Sequence, residues 1–137
     1  MLDLEVITPE RLAFSEQADS ITIPALEGEI GILPGHAPLL VQLATGELRI
    51  QSGDRTEFFA VSGGFVEVLR NRVHVFAETA EMQGEISAER ARQAAEKARK
   101  DMQKAASPAD LEQAQAALRR ALLRLRIAEG MSRRRSK

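Results

Sequence analysis

The sequence predicts a mainly β plus α protein: an N-terminal antiparallel β-sandwich followed by a C-terminal antiparallel two-helix hairpin. Three observations carry this reading. Through residue 86, apolar and polar residues alternate with period two in short runs, and Gly, Pro, Asn and Asp interrupt them roughly every 8 to 12 residues. From Ser87 to Glu129 there is one Pro and no Gly, and Ala, Glu, Gln, Lys, Arg and Leu dominate. The charge divides at the same place. Residues 1–86 carry 14 Asp and Glu against 5 Arg and no Lys, a net −9, whereas residues 87–137 carry 14 Lys and Arg against 6 Asp and Glu, a net +8. The overall charge of −1 conceals this split. The two halves are expected to face different partners, the second of them acidic.

In chain order, Leu2-Asp3-Leu4-Glu5-Val6 and Ser20-Ile21-Thr22-Ile23 read as strands with one apolar face. Val66-Glu67-Val68 and Val73-His74-Val75 repeat the pattern. Turns are marked by Glu27-Gly28, Pro34-Gly35, Thr45-Gly46, Ser52-Gly53-Asp54, Ser62-Gly63-Gly64 and Arg70-Asn71-Arg72. No helix of useful length fits between these breakers, so residues 1–86 form an all-β domain.

Residues 87–137 follow a different grammar. Ser87 is a natural N-cap, its oxygen available to the open N–H groups of a first helical turn. Ala91, Ala95, Ala98, Met102 and Ala105 recur at spacings of four and three, which makes a narrow apolar stripe. Ser107-Pro108-Ala109-Asp110 ends one helix and starts another: Ser107 caps, Pro108 lacks an N–H where none is needed, and Asp110 faces the positive helix end. The second helix places Leu111, Ala114, Leu118, Ala121, Leu122, Leu125 and Ala128 on one side, with Gly130 as its stop and Met131 to Lys137 as a frayed basic tail. So short a connection makes the helices antiparallel. The seam is weak. A buried CH2 contributes about 0.8 kcal/mol, so each Ala forgoes roughly 2.4 kcal/mol relative to Leu. Two good helices held together weakly suit an element that opens.

Several function classes find no support. The 137 residues contain no Cys, which excludes disulfides and thiolate metal sites. No run approaches the roughly 20 apolar residues needed to cross a bilayer, and Asp3 and Glu5 argue against a signal peptide, so a cytoplasmic protein is expected. Glycine-rich phosphate loops, nucleophile elbows and paired-His zinc helices are absent, so no catalytic residue and no metal ligand set is assigned. His74 reads as a solvated outer-face residue, and His36 as a turn-stabilising residue or a partner contact in the rigid Pro34-Gly35-His36-Ala37-Pro38 loop. The arginines Arg119, Arg120, Arg124, Arg126, Arg133, Arg134 and Arg135 admit a nucleic-acid arm. No aromatic residue follows Phe76 to stack on bases, which favours an acidic protein surface instead. A free-standing adapter or nucleic-acid-binding protein with a basic helical arm stays open as the alternative function.

The segment Gly28-Glu29-Ile30-Gly31-Ile32-Leu33-Pro34-Gly35-His36-Ala37-Pro38-Leu39-Leu40 resembles the epsilon subunit family of bacterial F-type ATP synthases. The resemblance extends to Thr8-Pro9-Glu10, to Ser62-Gly63-Gly64-Phe65-Val66-Glu67-Val68, and to Arg120-Ala121-Leu122-Leu123-Arg124-Leu125 with Ala128-Glu129. It implies a non-catalytic central-stalk subunit that couples proton translocation to ATP synthesis, peripheral on the cytoplasmic face of the cell membrane and touching the membrane only through the complex. The sandwich would bind the gamma subunit and the c-ring, with Glu29 and His36 as partner contacts. The hairpin would extend beside gamma and engage the alpha and beta subunits through a basic face of Arg119, Arg120, Arg124 and Arg126, inhibiting ATP hydrolysis. At 1.5 Å per residue, helices of about 18 and 22 residues would reach roughly 60 Å. The family's nucleotide contacts map onto Glu81, Ile86, Arg90, Ala91, Arg120 and Arg124. The Asp expected after the Ile is Ser87 here, which caps a helix but supplies no carboxylate. ATP is therefore expected as a weak regulatory ligand at most, and no cofactor is expected.

Overall fold

The computed structural model describes the backbone of residues 1–135 and the side chains of residues 1–130. The chain divides into two compact units, Met1–Met82 and the residues from Gln83 onward.

The first unit contains ten strands: β1 (Leu2–Ile7), β2 (Leu12–Ala18), β3 (Ser20–Ala25), β4 (Gly28–Ile32), β5 (Leu39–Gln42), β6 (Gly46–Ser52), β7 (Arg55–Ser62), β8 (Phe65–Leu69), β9 (Arg72–Phe76) and β10 (Thr79–Met82). They form two five-stranded sheets, ordered β2-β1-β9-β8-β5 and β10-β7-β6-β3-β4. The alternation read from the sequence is the burial pattern observed. Leu2, Leu4 and Val6 of β1 face inward, as do Val66 and Val68 of β8 and Val73 and Val75 of β9. Ile21, Ile23, Ile32, Leu48, Ile50, Phe59 and Val61 belong to the same core, with Phe14 meeting Phe59 edge-on at 5.5 Å. One pairing departs from the antiparallel expectation: β1 and β9 run parallel, with Glu5 beside His74 and Ile7 beside Phe76. Period-two alternation carries no strand direction, and the long chain between these strands supplies the crossover that a parallel pair requires.

Two tight turns bound β8. Gly64 has φ 99°, and a Cβ there would lie 1.8 Å from the Phe76 carbonyl oxygen. Arg70 and Asn71, with φ of 50° and 63°, make the two-residue connection between β8 and β9. Successive left-handed residues match the right-handed twist of a hairpin, and Asn tolerates that conformation better than most residues.

The second unit begins with a 3-10 turn at Gln83–Glu85, followed by helices α1 (Ala88–Lys104) and α2 (Pro108–Arg135). Ser87 caps α1 as expected, its Oγ accepting from the Arg90 N–H at 3.2 Å. Ser107 Oγ accepts from the Asp110 N–H at 3.1 Å, and Pro108 opens α2. The exposed pairs Glu89–Arg92, Glu96–Lys100 and Lys97–Asp101 support α1 along its own surface, each worth about 0.2 to 0.5 kcal/mol. The helices pack together, and α1 buries Ala91, Ala95 and Ala98, the core of its predicted stripe.

The predicted stripe of α2 is revised. Ala114 and Ala121 are buried, but Leu111 and Leu122 are 37% and 40% exposed, whereas Leu123 and Ile127 are 7% and 1% exposed. At 100° per residue, Ala114 and Ala121 lie within about 20° of each other, and Leu123 and Ile127 within about 40°. The two pairs stand well over 100° apart, so α2 is buried on two faces rather than one. Gly130 does not stop α2, which continues to Arg135. A helical Gly costs only about 1 kcal/mol, and the Met and Arg beyond it are strong helix formers. The rest of the expected tail, namely the side chains from Met131 and the whole of Ser136 and Lys137, lies outside the described residues.

Replacing Gly64 by Ala is expected to destabilise the first unit by more than about 3 kcal/mol, because both the positive φ and the clash with a backbone carbonyl oppose it. Urea unfolding of the full chain measures this, and a loss below about 1 kcal/mol would show that the turn can rearrange.

Candidate functional site

Two regions hold the residues singled out by the sequence. The first is the connection between β4 and β5, which passes from one sheet to the other. Pro34 and Pro38 restrict its backbone, and Gly35 takes the φ of 84° that a side chain would oppose. The His36 N–H donates to the Leu33 carbonyl at 3.1 Å, closing a turn. The Gly35 N–H donates to Asn71 Oδ1 at 2.7 Å. His36 is half-buried, and its Nδ1 lies 2.7 Å from the Ala37 carbonyl oxygen. A carbonyl only accepts, so Nδ1 carries the proton and neutral His36 presents Nε2 as an acceptor. Leu33 and Leu40 stand 62% and 68% exposed beside the loop.

Glu29, on β4, is also exposed, and Arg49 Nη2 lies 3.3 Å from each of its carboxylate oxygens. Arg49 Nε is buried without a hydrogen bond, 3.7 Å from Glu47 Oε1. One guanidinium nitrogen therefore bridges both carboxylate oxygens, without the two parallel bonds of a bidentate pair. Glu29 is thus an exposed carboxylate paired with Arg49 at the surface.

The second region is the helical unit. Ile86 and Ala91 are buried, and Arg90 is exposed at the start of α1. Arg119, Arg120 and Arg126 are exposed on α2, and Arg124 is half-buried. On the helix, Arg119 and Arg126 lie within about 20° of each other, and Arg120 and Arg124 within about 40°, so the four form two edges roughly 120° apart. The antiparallel hairpin brings the later half of α2 alongside the start of α1. In keeping with that register, Gln83 Nε2, in the turn before α1, donates to the Ile127 carbonyl at 2.7 Å. Arg90, Arg120 and Arg124 therefore share one end of the hairpin. Glu81 lies on β10 and belongs to the first unit. At the cap, Ser87 offers a hydroxyl already engaged with the Arg90 N–H, where a nucleotide contact would ask for a carboxylate. Arg133, Arg134 and Arg135 have side chains outside the described residues.

Among the described residues, no group of three or more His, Asp or Glu is arranged to hold a metal ion. No helix among them is long and apolar enough to cross a membrane. His74 is less solvated than the sequence suggests. It is half-buried at the middle of its sheet, with Nε2 3.0 Å from Glu5 Oε1 and Nδ1 3.9 Å from Glu67 Oε1. Arg49, Asn71 and Gln83 were not recognisable as site residues from the sequence. Only Asn71 carried a signal, and that signal marked a turn.

The chain's two units coincide with two described family domains. Residues 1–83 match the model of the ATP synthase Delta/Epsilon chain beta-sandwich domain, and residues 85–129 match that of its long alpha-helix domain. The ATP synthase epsilon chain of Chloroflexus aggregans is 50% identical over 129 residues, covering 93% of this chain and 92% of that one. That of Herpetosiphon aurantiacus is 45% identical over 128 residues, covering 93% and 94%. Among solved structures, a chain of the Euglena gracilis mitochondrial ATP synthase (OSCP/F1/c-ring, rotational state 1) superposes with a TM-score of 0.76 at 30% identity, over 86% of this chain and 75% of that one.

Gln83→Glu removes the donor of the bond to Ile127 and sets a carboxylate against a carbonyl. Faster amide exchange is expected through the turn containing Leu123 and Ile127, with a stability loss of about 1 kcal/mol. Unchanged exchange there in the full-length variant would show that the bond does not hold α2.

Proposed function

The chain belongs to the ATP synthase delta/epsilon family as a non-catalytic, epsilon-type subunit, and we propose that its two units divide coupling from regulation. Residues 1–86 bind the gamma subunit and the c-ring, using the loop that carries His36 and the exposed carboxylate of Glu29. Residues 87–137 are the regulatory element, which leaves the folded hairpin to extend beside gamma and inhibit ATP hydrolysis through contacts with the alpha and beta subunits. The protein then works as a peripheral component on the cytoplasmic face of the cell membrane, reaching the membrane only through the complex.

The alanine seam is the observation that carries the regulatory reading. Ala91, Ala95 and Ala98 supply the buried side chains of α1, so opening the hairpin exposes little apolar area there. Helix propensity keeps each helix intact once they separate. With 17 and 28 residues, the helices reach about 65 Å when extended end to end. The arginines favour the extended state. Exposed ion pairs contribute about 0 to 1 kcal/mol each, whereas charge-assisted bonds in a dehydrated crevice contribute roughly 1.5 to 3 kcal/mol. Only such a difference between states can shift a two-state element. No observation favours the nucleic-acid arm over this reading.

ATP acts, on the same reading, as a weak ligand of the folded state. Arg90, Arg120 and Arg124 at one end of the hairpin suit phosphates, and Ser87 withholds a carboxylate. Ser87→Asp keeps the cap and restores that group, so calorimetric titration of ATP into the full-length variant is expected to show at least about tenfold tighter binding, the size of one charge-assisted bond. Tight binding by the unmodified chain would refute the role given to Ser87.

Replacing Arg119, Arg120, Arg124 and Arg126 together by Ala is expected to relieve inhibition of hydrolysis while the complex still assembles. Deleting residues 87–137 should relieve it at least as far, and raised salt should relieve it in part. Steady-state hydrolysis by the reconstituted complex reads all three. Equal rates with every form of the subunit would remove the regulatory role.

A further inference from the structure

We propose that Asn71 is the positioning residue of the Leu33–Pro38 loop, holding it in the shape that meets its partner; this rests on the reading of Glu29 and His36 as partner contacts. Asn71 occupies the turn between Leu69, the last residue of β8, and Arg72, the first of β9. Its φ of 63° and that of 50° at Arg70 are what the two-residue connection demands. In such turns the Asn amide commonly bonds to nearby backbone. Here it reaches 36 residues back along the chain, where Oδ1 accepts the Gly35 N–H at 2.7 Å. The donor is an N–H, so only the amide oxygen can face it. The Asn71 carbonyl meanwhile accepts the Asp3 N–H at 2.8 Å, which ties the turn to the start of β1. One residue therefore joins three segments: the β8–β9 turn, the start of β1 and the loop.

The loop needs this outside anchor. It leaves one sheet at Ile32 and enters the other at Leu39, so no strand pairing holds its middle. Pro34 and Pro38 fix φ but have no N–H to donate. Gly35, between them, is the most permissive residue in the segment and is the one that Asn71 grips. Leu33 and Leu69, each two residues from an end of this bond, are 62% and 48% exposed. A loop fixed before docking loses less conformational freedom on contact, and its affinity rises accordingly.

The test uses the full-length chain and the ATP synthase complex stripped of its own epsilon subunit. Asn71→Gly keeps a residue suited to the left-handed turn and deletes the acceptor, whereas Asn71→Asp keeps an acceptor of the same reach. In Asn71→Gly, amide exchange at Gly35 is expected to quicken about fivefold, the size of one net hydrogen bond, and binding to the stripped complex to weaken by about the same factor. Asn71→Asp is expected to match the unmodified chain in both. Unchanged exchange at Gly35 in Asn71→Gly, or an Asn71→Asp variant as impaired as Asn71→Gly, overturns the proposal. So does faster exchange with undiminished binding when His36→Ala still weakens binding, and that result leaves the partner-contact reading standing. If neither His36→Ala nor Asn71→Gly alters binding, the partner-contact reading itself fails, and the positioning role with it.

Discussion

Each sheet of the first unit has one apolar face that only the other sheet can cover, and the rest of that unit is arranged around this burial. Leu2, Leu4, Val6, Val66, Val68, Val73 and Val75 from one sheet meet Ile21, Ile23, Leu48, Ile50, Phe59 and Val61 from the other. Strands that lie in different sheets must be joined by chain that crosses between them, and that chain has no ladder to satisfy it. The β4–β5 connection is such a crossing. Its rigidity comes from two prolines, a turn closed at Leu33 and His36, and a side-chain bond from a distant hairpin. A surface loop with fixed geometry and exposed Leu33 and Leu40 is a by-product of closing the core, and it is what a partner can recognise.

The second unit is held on different terms. Its caps, its i to i+4 pairs and its composition stabilise each helix separately, while the seam between them rests on alanine methyls. The first unit commits large aliphatic and aromatic side chains throughout its core, whereas in the second the large buried aliphatics are few, with Ile86, Leu123 and Ile127 among them. Stability concentrated in one unit, with modest cohesion in the other, is the distribution expected of an anchor carrying a movable arm. Gln83 adds a polar contact to that cohesion, beside the buried Leu123 and Ile127 of α2.

Charge follows the same division. Residues 1–86 carry a net −9 and residues 87–137 a net +8, so the charge changes sign close to the boundary between the units. Within the first unit some of the acidic groups stand against basic or imidazole side chains. Glu29 is held by Arg49, and Glu5 and Glu67 flank His74 across three neighbouring strands. The arginines of α2 occupy two edges of the helix, so a partner groove would have to grip it from both sides.

Fold class, both N-caps and the buried stripe of α1 were legible in the sequence, because each depends on residues within a turn or two of one another. The thirteen-residue loop motif was legible for the same reason, together with the family it signals. Strand direction was not, since alternation reads the same for the parallel β1–β9 pair as for the others. The second buried face of α2 escaped as well: Leu122 and Leu123 are equally apolar, and only the packing decides which one is covered. Asn71, Arg49 and Gln83 acquire their roles from partners 36, 20 and 44 residues away in sequence. Local chemistry sets what each segment can form. Which distant backbone N–H, carboxylate or carbonyl a polar side chain will meet is decided only when the sheets close and the helices fold back, because that is what brings the two ends of each bond together.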